Sequence, residues 1–65
     1  MNGTVSAFDP RGGLGEVTAD DSRVYPFHCT VIADGTRTIE VGTAVEFEVV
    51  AGWLGRWEAA DIKPA

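Results

Sequence analysis

Apolar and polar residues alternate with a period of two over 45–49, where Val45, Phe47 and Val49 are interleaved with Glu46 and Glu48. Such a run makes a strand with one apolar and one charged face. Its β-branched residues suit a pleated surface better than a helix. The alternation returns at 25–28, with Tyr25 and Phe27 on one face and Pro26 and His28 on the other. Pro26 has no N–H to give to a ladder, so its strand is expected to be unpaired or bulged there. Turn residues cut the chain at short intervals: 9–13, 19–22, 33–35, Gly42 and 52–55. Between them the pattern predicts five strands, over 4–8, 14–18, 24–29, 44–51 and 57–62. A single turn of 3₁₀ helix fits 30–33, and no segment of ten residues has helical periodicity. Five short strands on a chain this size cannot cover two sheets, so closure into a small barrel that hides its edges is expected. The predicted fold is one all-β domain over 1–65, a five-stranded antiparallel barrel with a core of Val5, Val17, Tyr25, Phe27, Ile32, Val45, Phe47, Val49 and Ile62.

A chain of 65 residues buries only about 60% of the surface its unfolded state exposes. That leaves no room for a deep substrate pocket beside a cofactor domain. Five basic against ten acidic residues give a net charge of −5, which disfavours long-range attraction to a phosphate backbone. The lone Cys29 has no internal disulfide partner, so nothing asks for an oxidising compartment. No run approaches the ~18 apolar residues of a membrane span, and residues 1–5 lack the basic stretch and apolar core of a signal peptide. A cytoplasmic location is the expectation.

The chain resembles the bacterial cold-shock proteins along essentially its whole length. Gly3, Thr4, Val5 and Phe8 match the family's first strand, Gly-Thr-Val-Lys-Trp-Phe. Gly13, Leu14, Gly15 and Val17 stand where the family has Lys-Gly-Phe-Gly-Phe-Ile, and residues 25–29 where it has Val-Phe-Val-His-Phe, with His28 in register. Thr38, Ile39, Gly42, Val45 and Phe47, then the stretch 58–62, are similar to its later strands. The resemblance implies an OB-fold barrel of cold-shock type that binds single-stranded RNA or DNA. The family's platform is a patch of exposed aromatics with lysines beside them; bases stack on aromatic faces while a basic groove follows the backbone.

This sequence departs from the platform systematically. Ser6 and Ala7 stand at the family's Lys-Trp, and Gly12 at its next lysine. Leu14 and Glu16 replace two phenylalanines, Pro26 and Cys29 two more, and Thr36 the loop aromatic. Phe8 and His28 remain. The nucleic-acid-binding remnant expected from the sequence is therefore Phe8, Arg11, Leu14, His28 and Arg37. A second candidate surface is the hairpin of Trp53, Leu54, Arg56 and Trp57, either for a protein, since Trp and Arg are enriched where proteins bind each other, or as a further contact for the single strand. Its tryptophans either stay exposed or fold back to cap the barrel; Arg56 between the rings suits a cation–π contact in both cases.

Other constellations read as structural. Cys29 beside His28 suggests a thiol and a base, yet neighbouring strand residues point to opposite faces and no Asn or Asp completes a triad. Asp9, Asp20 and Asp21 fit turn residues that bond nearby backbone groups better than metal ligands, and no second histidine supports zinc. The glycines at 12, 13 and 15 have neither the following helix nor the Lys-Ser/Thr of a phosphate loop; they fit a turn and close strand packing. Glu16, Glu40, Glu46, Glu48 and Glu58 read as a solvated surface, with an acidic face for a basic partner as the sharper alternative. The functional expectation is a non-catalytic module without cofactor or metal whose single-stranded RNA or DNA binding is weakened or lost. The alternative is a protein-interaction module using the tryptophan hairpin or the acidic face.

Overall fold

The computed structural model describes every residue except Asp34, Thr36, Trp53 and Leu54. The strands are β1 (Asn2–Asp9), β2 (Leu14–Ala19), β3 (Val24–His28), β4 (Ala44–Ala51) and β5 (Trp57–Pro64), with a 3₁₀ turn at Cys29–Val31 directly after β3. All pair antiparallel in one sheet of order β3-β2-β1-β4-β5. The sheet curls into the expected five-stranded barrel. Its terminal strands β3 and β5 lie against each other, and a bridge between Ile32 and Ile62 completes the closure.

β1, β2 and β5 reach one or two residues beyond the expected bounds, whereas Cys29 leaves β3 and opens the 3₁₀ turn. The turn occupies 29–31 instead of 30–33 because the Ile32 N–H bonds the Cys29 carbonyl at 3.2 Å and Ile32 itself is already extended. Pro26 is accommodated at the sheet's edge, in continuous register opposite Glu16, and not by a bulge.

The core is Val5, Val17, Ala19, Tyr25, Phe27, Ile32, Val45, Phe47, Ala59 and Ile62. Val49, expected among them, is only half-buried, and two alanines complete the interior. Tyr25 meets Phe47 with ring centroids 5.9 Å apart, and Phe8 lies over Phe27 at 6.1 Å with planes 12° apart. Two bulges bend the sheet. Ser6 is the extra residue of β1 against β2, and its hydroxyl donates to the Glu16 carbonyl at 3.3 Å and accepts from Thr18 Oγ1 at 2.9 Å. Asp61 and Ile62 together face Phe47 across β4 and β5; Asp61 takes φ 51°, a conformation Asp tolerates better than most residues.

Asp9 and Asp21 act as the turn reading expects. Asp9 Oδ1 accepts the Arg11 N–H and Asp21 Oδ1 the Arg23 N–H, both at 3.0 Å. The glycines serve close packing. A Cβ on Gly15 would lie 2.5 Å from Phe27 Cζ and 2.8 Å from the Ala7 carbonyl oxygen. Neither neighbour can retreat, since Phe27 is fully enclosed and Ala7 is held in the β1–β2 ladder. Gly15→Ala is expected to cost roughly 1–3 kcal/mol through overpacking, read as a lower urea midpoint with an unchanged slope.

Candidate nucleic-acid interface

β1, β2 and β3 present their outer face as a groove of about 540 Å³. Its floor and walls are Ala7 and Phe8 from β1, Leu14, Gly15 and Glu16 from β2, and Pro26, Phe27 and His28 from β3; Asp9, Arg56 and Glu58 close its sides. The register explains the assembly: Leu14 stands opposite His28, Gly15 opposite Phe27, and Glu16 opposite Pro26. Gly15 lets the backbone of β2 pack directly against the buried Phe27 ring, and Phe8 stacks parallel to that ring at the groove's edge. Leu14 is 50% exposed and His28 is exposed, so both offer contact surface. Cys29 is turned the other way, half-buried against the core, with its Sγ close to Gly13. The two side chains diverge, as neighbouring positions require.

The structure therefore brings together Phe8, Leu14 and His28 of the expected remnant. It does not bring in its arginines. The Arg11 backbone is folded into the Asp9 turn, and Arg37 sits with φ 61° in the loop after β3; neither lines the groove. Ser6, named with the lost platform, occupies the bulge instead of the groove wall. Thr36 lies outside the described residues.

Two further groove residues were expected elsewhere, Arg56 in the tryptophan hairpin and Glu58 on an acidic surface. Arg56 and Glu58 arrive from the start of β5, more than twenty-five residues beyond β3. Only barrel closure puts them opposite Pro26 and His28. Glu58 packs its carboxyl over Gly52 and completes, with Asp9 and Glu16, three carboxylates against one guanidinium. The acidic residues do not form a single face: Glu46 and Glu48 line a different hollow, with Met1 and Lys63.

The groove continues past Glu16, Pro26 and Arg56 into a second hollow of about 580 Å³, bounded by Arg23, Val24, Tyr25, Gly55 and Trp57. Trp57 is 62% exposed, which excludes the capping reading for this ring. Trp53 and Leu54, the other members of the expected hairpin, lie outside the described residues.

The site this barrel presents among the described residues is an open, shallow groove across three antiparallel strands. The family model described as the 'Cold-shock' DNA-binding domain matches residues 1–65, and the chain belongs to the cold-shock domain family. It is 40% identical over 55 residues to the cold shock-like protein CspA of Stigmatella aurantiaca, covering 82% of this chain and 81% of that one. A cold shock-like protein of Thermotoga maritima is 36% identical over 64 residues, 97% of this chain and 96% of the relative. Cold shock protein 1 of Arabidopsis thaliana is 34% identical over 92% of this chain, which spans only 21% of that protein's length. Against the glycine-rich protein 2 of Nicotiana sylvestris the chain spans 29%.

Proposed function

We propose that this chain is a non-catalytic cold-shock module that holds single-stranded RNA or DNA weakly in the groove on β1–β3. The observation that carries the reading is the groove's lining. Phe8, Leu14 and His28 still offer contact to an extended strand, while Ala7, Glu16 and Pro26 offer no π-face where the family stacks bases. Stacking is worth about 1–3 kcal/mol per base. Loss of three such contacts turns a reference affinity near 1 μM into roughly 100 μM or weaker. Asp9, Glu16 and Glu58 oppose the phosphates besides.

The test is a titration with short single-stranded DNA and RNA, followed by tryptophan fluorescence at two salt concentrations. The expected result is shallow, salt-sensitive quenching with a midpoint above roughly 100 μM. Low-micromolar binding would overturn the weakening, and no response up to millimolar nucleotide would overturn nucleic-acid binding altogether. The second reading, a module that contacts a protein, is favoured by one observation: Trp57 and Val24, 62% and 52% exposed, share the second hollow.

A further inference from the structure

The two hollows differ in charge. The one around Phe8 and His28 has three carboxylates, those of Asp9, Glu16 and Glu58, against Arg56 alone. The one around Trp57 has two guanidinium groups, Arg23 and Arg56, against Glu16. A phosphate chain laid along the groove is repelled at the first end and attracted at the second, because affinity for single strands rests on cations that neutralise phosphates. The arginine-bearing end also carries the most exposed aromatic ring described in the chain, Trp57, with Val24 beside it. Arg23 is only loosely held by its neighbour: its Nε lies 3.9 Å from Asp21 Oδ2, and both side chains face solvent. Its remaining N–H donors are directed to no carboxylate in that pair, which suits a guanidinium that meets phosphate through its planar fork.

We infer that the principal base-stacking contact of this chain is Trp57, with Arg23 and Arg56 on the flanking phosphates, so that the ligand is displaced along β3 away from Phe8 and His28. The inference rests on the nucleic-acid reading above and deepens it. A nucleobase stacks on an indole irrespective of sequence. The two hollows adjoin, with Glu16, Pro26 and Arg56 in the walls of both, so the strand need not leave the barrel to reach the new contact. A basic or apolar protein segment fits this end less well, since two arginines would face it.

The test is an amide-resolved NMR titration of the whole chain with hexathymidylate, joined to affinities of three variants. The expected shifts concentrate at residues 23–25 and 55–58 and include the Trp57 indole N–H. Trp57→Ala is expected to weaken binding about 10-fold, while Trp57→Phe, which keeps a π-face, stays within about 3-fold. Arg23→Gln is expected to reduce the slope of log K against log salt by about 0.7. The exposure of Trp57 makes these variants foldable, and their thermal transitions check it. Shifts confined to Phe8, Leu14 and His28, with Trp57→Ala binding as tightly as the parent, would overturn the displacement and leave the nucleic-acid reading intact. Absence of any shift up to millimolar oligonucleotide would overturn both. A Trp57-dependent dimer that ignores oligonucleotide would show the surface to be a self-contact and overturn the inference.

Discussion

The double variant Glu16→Phe/Pro26→Phe is expected to bind single-stranded oligonucleotide at least about 30-fold more tightly than the parent chain. The two positions stand directly opposite each other on β2 and β3 and line both halves of the groove. Each new ring supplies a stacking face worth about 1–3 kcal/mol, so the pair contributes roughly 2–6 kcal/mol. Glu16→Phe also removes a carboxylate from the phosphate path. Opposed aromatics on neighbouring strands favour the sheet by a further ~0.2–1 kcal/mol, so the gain does not require a loss of fold. Glu16→Gln isolates the share owed to charge. A fluorescence or calorimetric titration in which the double variant gains less than 3-fold would show that missing π-faces are not what limits this groove.

Phe27→Ala is expected to cost about 3–5 kcal/mol, against a total for a domain of this length of roughly 3–10 kcal/mol. The ring is 1% exposed and forms both the outer wall of the core and the floor of the groove. Its removal opens a cavity between Phe8 and the interior that β2 cannot collapse into, because Gly15 contributes no side chain there. A urea titration should show the midpoint falling by a third or more, or no cooperative transition at all. Phe8→Ala, which truncates the half-buried partner of the same stack, should cost under about 2 kcal/mol. Equal losses from the two would contradict the division of labour between a structural and a contact ring.

Much of the barrel is legible in the residues because period-two patterning is a local property. Val45 and Phe47, or Tyr25 and Phe27, declare their faces within five residues. Ala19 and Ala59 do not, since a small side chain carries no hydrophobic signal strong enough to mark it as interior. Val49 gives the opposite error: its alternation is sound, but it lies paired with Ala59 towards the end of β4 where the interior is running out. The bulge at Asp61 had no signal beyond an aspartate's tolerance of a left-handed backbone. The groove was legible where one hairpin builds it, as with Leu14 opposite His28. Arg56 and Glu58 were not, because their arrival depends on two strands that never share a ladder. Arg11 and Arg37 were included for their charge alone, which says nothing about where a loop aims it.

β3 and β5 are the two ends of the sheet and pack side by side, while Ile32, beyond the 3₁₀ turn that follows β3, bridges to Ile62 of β5. That line is the seam of the barrel, and it borders the groove on one side, with Pro26 and His28 on one lip and Arg56 and Glu58 on the other. An occupant therefore closes the seam like a clasp. Since a ligand that binds only the closed form stabilises it by mass action, an occupant touching both lips would sew this small barrel shut.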